Sequence, residues 1–303
     1  MHIIDVKNLS KSYGDVEAVK NISFSVKENV FFALLGPNGA GKSTTIEILS
    51  TLLSKDQGTV KINGHELDHD DDAIRKNLGV VFQYNTLDKE LTVMENLALR
   101  AALYKMDKKT FKARIDALDK LIQFKSYADQ RTKNLSGGQR RKADIAKALL
   151  HSPRILMLDE PTTGLDPKSR KGLWELILKL KEETSMTILL TTHYMEEVLD
   201  ADHVIILHEG VIRAEDSAEQ LRIQYAKDTL KVVPKAPLLK KLKSDKVPFR
   251  TVNQTVHIDI KDPFEGIKLV ESYRQDIETF EIVKASMDDV FLNITGERLE
   301  EKA

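Results

Sequence analysis

The chain has 303 residues, 41% of them hydrophobic, and its 46 lysines and arginines nearly balance 47 aspartates and glutamates for a net charge of −1. That predicts one large domain or two moderate ones with ordinary cores, and no overall pull toward nucleic acid or anionic lipid. The absence of cysteine excludes disulfides and thiolate-held zinc or iron–sulfur sites; no apolar run reaches the roughly 18 residues that span a bilayer, and Met1-His2-Ile3-Ile4-Asp5 lacks a signal peptide's charged start and apolar centre, so a cytoplasmic protein is expected.

Ile3-Ile4-Asp5-Val6, Ile22-Ser23-Phe24-Ser25-Val26 and Val60-Lys61-Ile62 are short β-branched runs, with Asn63-Gly64 as a turn signal. They predict a small antiparallel sheet. Between them, the apolar run Phe31-Phe32-Ala33-Leu34-Leu35 reads as a buried strand and leads into Gly36-Pro37-Asn38-Gly39-Ala40-Gly41-Lys42-Ser43. Ile46, Leu49 and Leu53 then recur at helical spacing over Thr44–Leu53. Strand, glycine loop and helix in that order suit phosphate binding. Glycines let successive N–H groups turn toward an anion, and the helix N-terminus adds partial positive charge. Lys42 would reach β- and γ-phosphates, and the Ser43 hydroxyl suits Mg²⁺.

Further along, Asp68-His69-Asp70-Asp71-Asp72, with His65 nearby, has metal-ligand residue types but reads as a solvated turn and N-cap before a short helix near Ala73. Residues from about 91 to 150 read as helical, with Phe111, Ile115, Leu118 and Ile122 on one face. Leu135-Ser136-Gly137-Gly138-Gln139 precedes a helix over Arg140–Leu150, with Ser136 as its N-cap. This could be an ordinary capped helix or a second anion site; the second makes sense only if it serves a neighbouring molecule. Ile155-Leu156-Met157-Leu158 reads as a strand ending in Asp159-Glu160, where one carboxylate can reach a phosphate-bound Mg²⁺ and the next can activate water. Helices over 173–181 and 195–199 alternate with strands over 187–190 and 204–207, which predicts a mainly parallel α/β core.

From about Asp228 the character changes. Pro234, Pro237, Pro248 and Pro263 punctuate the chain, and lysines crowd Lys231–Lys246. A strand over Thr255–Ile260, a helix over Phe264–Tyr273 and a strand over Thr279–Val283 suggest a small α+β appendage. The expected division is 1–220 and 228–303, with the boundary within Ala218–Thr229. The Lys235–Lys246 stretch reads as a solvated basic helix face, with contact to acidic lipid as the other reading.

Gly36 to Ser43, Gln83, Leu135 to Gln139, Asp159-Glu160, Gly164-Leu165-Asp166 and His193 stand in the order of an ATP-binding cassette. Over roughly residues 3 to 220 the chain resembles the nucleotide-binding subunit of an ABC transporter. Asn85–Thr92 and Ser286-Met287-Asp288-Asp289-Val290-Phe291-Leu292 further resemble the daunorubicin-resistance type of exporter ATPases. The resemblance implies a P-loop ABC ATPase fold: an antiparallel β subdomain, a mainly parallel core sheet and a helical subdomain, followed by the appendage. It also implies roles. Tyr13 would stack on adenine. Gly36, Pro37, Asn38, Gly39, Ala40, Gly41, Lys42, Ser43 and Thr44 would bind ATP. Ser43, Gln83 and Asp159 would attend to Mg²⁺. Glu160 would be the catalytic base, with Gln83 and His193 contacting water, metal or γ-phosphate. Ser136, Gly137, Gly138, Gln139 and Asp166 would contact ATP held by another protomer. The implied protein hydrolyses Mg-ATP as a head-to-tail homodimer on the cytoplasmic face of a separate membrane permease, and exports a compound. A non-transport cassette acting on nucleic acid or ribosomes is the rival, but the chain lacks that class's second cassette, zinc cysteines and basic footprint. Lys142-Ala143-Asp144 departs from the family, which more often has a longer apolar residue and a Glu there.

Overall fold

The computed structural model describes residues 2–297, which form two compact units that part between Ser217 and Ala218. In the first unit, β1 (His2–Tyr13) and β2 (Val16–Lys27) form a long antiparallel pair with several register shifts. The chain then enters β3 (Phe31–Leu35), all five of whose residues are buried. The phosphate-loop sequence leads to α1 (Lys42–Leu49). This helix is shorter than expected: Ser50 caps it and Thr51, at φ +65°, turns the chain out. Next come β4 (Gln57–Ile62), β5 (His65–Glu66), α2 (Asp71–Asn77) and β6 (Leu78–Val81). The acidic run 68–72 forms the turn into α2 and its first two residues, Asp71 and Asp72, with which Arg75 pairs.

A helical stretch follows, with α3 (Val93–Leu103) and α4 (Lys108–Ile122). Thr92 and Glu95 form a reciprocal cap on α3. On α4, Ile115, Leu118 and Ile122 are buried, while Gln123 in a left-handed conformation ends the helix. Then α5 (Gly137–Leu149), β7 (Ile155–Asp159), α6 (Pro167–Glu183), β8 (Thr187–Thr192), β9 (His203–His208) and β10 (Val211–Asp216) complete the unit. The helix expected over 195–199 is a single 3-10 turn, Met195–Val198, because the loop between β8 and β9 leaves room for only one turn.

Two sheets result. One has the order β2-β1-β4-β5 and is antiparallel; the other runs β10-β9-β3-β8-β7-β6 and is parallel except for β10. Parallel strands covered on both faces need continuous apolar sequence, which β3 and β7 supply. Phe24 of β2 stacks on Phe32 of β3 with ring centroids 5.8 Å apart, inside a core shared by both sheets. On α6 the chain's single tryptophan, Trp174, donates its ring N–H to Asp200 at 2.9 Å and leans on Phe31 of β3 at 5.8 Å.

The second unit contains α7 (Ala218–Tyr225), β11 (Asp228–Pro234), α8 (Leu238–Ser244), β12 (Arg250–Val252), β13 (Thr255–Ile260), α9 (Pro263–Ser272), β14 (Ile277–Val283) and α10 (Met287–Thr295). Its antiparallel sheet has the order β12-β13-β11-β14 around Leu230, Val232, Leu242, Val256, Ile258 and Ile260. Ser286 and Asp289 cap α10 reciprocally, and Val290 and Phe291 are buried. The lysine-rich stretch becomes α8, where Leu238 and Leu242 are buried and Lys240 and Lys243 exposed.

Candidate active site

The parallel sheet collects the site. The carboxyl ends of β3, β7 and β8 lie side by side: Leu35 pairs with Thr192, and Asp159 with Thr191. Three sequence-distant loops therefore leave the same sheet edge, where ligands bind in open α/β sheets. The loop after β3 turns into α1 at Gly41, whose φ is +98°. A Cβ there would lie 2.4 Å from the Ala18 carbonyl oxygen, so only glycine fits. A cavity of about 460 Å³ opens beside this turn, lined by Gly39 and Gly41–Thr44 together with Val16, Glu17, Ala18, Lys20 and Glu209. Tyr13 stands at the end of β1, half exposed, and is not among the lining residues.

Lys42 is almost fully buried, 4% exposed. Its Nζ donates to the carbonyls of Gly36 at 2.8 Å and Pro37 at 3.0 Å and lies 3.0 Å from Glu160 Oε1. Glu160 is also 4% exposed, so this ion pair is screened little by solvent. The other carboxylate oxygen, Oε2, accepts from Gln83 Nε2 and Thr163 Oγ1, each at 3.2 Å. His193 Nδ1 is 3.2 Å from the same oxygen, at ion-pair distance but without full hydrogen-bond alignment. Burial pushes the Glu160 carboxyl up, yet His193 and Lys42 outweigh it and hold its pKa at about 2. The backbone at Glu160 is strained, with φ +44°, and its N–H is held by the Thr191 carbonyl at 3.1 Å and the Thr191 hydroxyl at 3.0 Å.

Asp159, one residue before, accepts from Thr191 Oγ1 at 2.6 Å and Ser43 Oγ at 3.1 Å. Burial raises its pKa, against the pull of those two hydroxyls. A buried carboxylate beside a serine hydroxyl is a hard oxygen pair suited to Mg²⁺, which takes one or two carboxylates and fills its octahedron with phosphate and water oxygens. Among the described residues no group of three His, Asp or Glu could hold a metal alone.

Ser136, Gly137, Gly138, Gln139 and Asp166 form a separate group. Ser136 caps α5 and makes a reciprocal pair with Gln139, whose side-chain oxygen accepts from the Ser136 N–H at 3.0 Å. Asp166 caps α6 by accepting from the Ser169 N–H at 3.0 Å. Gly138 abuts Ser169, which joins the two helix starts. Among the described residues, none of the five is hydrogen-bonded to Lys42, Ser43, Gln83, Asp159, Glu160 or His193.

Several participants carried no sequence signal of their own. Thr191, near the end of β8, and Thr163, in the loop after β7, act through hydroxyls that no motif marks. Arg141, 7% exposed, reaches from α5 to the carbonyls of Phe82 at 2.5 Å and Gln83 at 3.0 Å and so fixes the Gln83 backbone.

The ABC transporter family model matches residues 19–163. The chain is 32% identical over 313 residues to the daunorubicin/doxorubicin resistance ATP-binding protein DrrA of Streptomyces peucetius, covering 99% of this chain and 94% of that one. It is 34% identical over 302 residues to the Nod factor export ATP-binding protein I of Burkholderia orbicola (strain AU 1054), covering 98% of each. The ATP-binding cassette MJ0796, solved as a dimer in a post-hydrolysis state with ADP and Pi, superposes with a TM-score of 0.64 and 32% identity over 71% of this chain and 98% of that one.

Proposed function

This chain belongs to the ABC transporter family of ATP-binding proteins, and on that premise we propose that it hydrolyses Mg-ATP as a head-to-tail homodimer that drives an export permease from the cytoplasmic face of the membrane. The observation that carries the reading is the separation of the two motif groups. One chain offers a phosphate cradle with Lys42 and Glu160 at its centre, and elsewhere a capped helix start, Ser136–Gln139, that shares no bond with it. A helix N-terminus with two glycines suits an anion. Two chains related by a two-fold axis could each complete the other's site. Among the described residues no helix is long and apolar enough to cross a membrane, which accords with a separate permease subunit. Export follows the printed names of the relatives above, as an analogy.

Gly36 to Thr44 would bind the phosphates, with Lys42 contributing a full charge. Tyr13 would face adenine, and Val16 and Glu17 would line the route to it. Ser43, Asp159 and Gln83 would hold Mg²⁺, which when bound neutralises phosphate charge. Glu160 would take the proton of the attacking water. At a pKa of about 2 it is a weak base in its pairing with Lys42. When Lys42 shares its charge with phosphate oxygens, the effect of burial is less opposed and Glu160 becomes more basic. His193 and Gln83, both on Glu160 Oε2, would orient the carboxylate and the water.

Mixing two variants tests the composite site. Lys42→Ala removes charge-assisted bonds worth about 1.5–3 kcal/mol each and should weaken ATP binding about 10- to 100-fold. Ser136→Arg blocks the helix start. Neither variant alone should dimerise with ATP, whereas their mixture keeps one intact composite site and should regain part of the dimer, read by light scattering. A mixture that behaves as its components do separately would remove the trans arrangement.

A further inference from the structure

A second buried carboxylate stands behind the site. Glu197, in the 3-10 turn Met195–Val198, is 5% exposed. Its Oε1 accepts from Thr162 Oγ1 at 2.5 Å and its Oε2 from Thr192 Oγ1 at 2.5 Å. Both threonines are themselves buried, at 0% and 1% exposure. Thr162 lies in the loop that leaves β7, between Glu160 and Asp166, and its carbonyl accepts from the Leu165 N–H at 3.2 Å. Thr192 ends β8 next to His193. The Thr192 hydroxyl accepts from the Tyr194 N–H at 2.9 Å, and its carbonyl accepts from the Gly36 N–H at 3.2 Å. Arg170 of α6 packs on Tyr194, with its guanidinium 4.2 Å over the ring and Nη2 3.2 Å from the hydroxyl.

We propose that Glu197 is a positioning residue that ties the loop bearing Glu160 and Asp166 to the loop bearing His193, so that the two loops hold one shared geometry. A carboxylate suits this task because it only accepts and can serve two hydroxyl donors at once. Bonds to a charged acceptor in a buried setting are the strong kind, and a buried charge with both oxygens occupied has little freedom to move. Apolar residues in its place would fill the space but leave both threonine hydroxyls without an acceptor. Glu197 makes no direct bond to Lys42, Glu160 or His193, so it acts on them only through Thr162 and Thr192.

The effect on catalysis rests on the ATPase reading, but the tie itself can be read without it. Amide hydrogen exchange on the full chain is measured for segments 160–166 and 192–195, alongside ATP titration and steady-state hydrolysis. In Glu197→Ala, exchange in both segments should rise about 10- to 100-fold, the loss expected for bonds to a charged acceptor. The turnover number should fall at least about tenfold while ATP affinity stays within about threefold, because Glu197 itself bonds to no residue of Gly36–Thr44. Glu197→Gln keeps one acceptor and adds a donor that the threonine hydroxyls can accept, and should restore most of both. Thr162→Val provides a second route if Glu197→Ala does not fold: it should speed exchange in 192–195, although the substitution lies in the other loop. Unchanged exchange there in Thr162→Val, or in a folded Glu197→Ala, overturns the tie. Coupled exchange in a chain that does not hydrolyse ATP would leave the tie standing and remove the ATPase reading.

Discussion

In the role proposed for Glu160, a single carboxylate would carry two opposed demands. It would have to be ionised to accept a proton, yet the partners that keep it ionised also make it reluctant to do so. Its pKa of about 2 lies below the ordinary 4.5, so the ionised form is favoured in the folded state. The stability it contributes is therefore present above about pH 4.5 and lost as pH falls toward about 2. Glu160→Gln has no such titration. In urea unfolding from pH 7 down to pH 3, the stability gap between wild type and Glu160→Gln should narrow in favour of the variant as acid is added; a constant gap would contradict the Lys42 pairing. The same substitution should leave ATP binding intact and slow hydrolysis by about 10²–10⁴, the usual scale of general-base catalysis, measured as phosphate release. Lys42, Ser43, Asp159 and Glu160 were legible as residues because a motif fixes their spacing along the chain. Thr191, Thr163 and Glu197 were not, because their roles arise only when β7 and β8 lie side by side.

Among the elements, those with one dominant period or an unbroken apolar run were legible: β3, β7 and the buried face of α4. Val211–Asp216 was not, because the antiparallel edge strand β10 is only partly covered and its polar residues hide the alternation. Neither was β11, which needs the second unit's sheet to give its few apolar residues a common side; the helix within Lys235–Lys246 was legible as a basic face, but not its buried side, Leu238 and Leu242. The start of α5 could be read as a capped helix but not as a tight contact. A Cβ on Gly138 would lie 2.8 Å from Ser169 Oγ and 2.9 Å from Ser169 Cβ. Gly138→Ala should thus push α5 from α6 and cost about 1–3 kcal/mol, the usual range for overpacking. Thermal or urea unfolding of Gly138→Ala in a Ser169→Gly background should recover most of that loss. If the two substitutions simply add, the contact is not the cause.

For the whole molecule, the break between Ser217 and Ala218 gives α7 to the second unit, where Asn293 of α10 donates to the Tyr225 carbonyl at 2.8 Å. We expect a chain ending at Ser217 to fold, because it keeps both sheets of the first unit. Its ATP affinity should stay within about threefold of the full chain, roughly 0.6 kcal/mol. Titration with nucleotide, together with circular dichroism, checks this; an unfolded product would show that the first unit needs the rest. The sequence signalled a change of character near Asp228 through prolines and lysines, but α7 before it has no such mark, since its role depends on α10 some 70 residues later.

Trp174 gives the molecule a built-in optical label. It is the chain's single tryptophan, it belongs to the first unit, and it touches Phe31 in the strand that feeds the phosphate loop. Excitation at the red edge of protein absorbance therefore reports on one unit alone, whereas far-ultraviolet circular dichroism averages over both. Melting the full chain while recording both signals separates the two units' transitions without cutting the chain or attaching a dye.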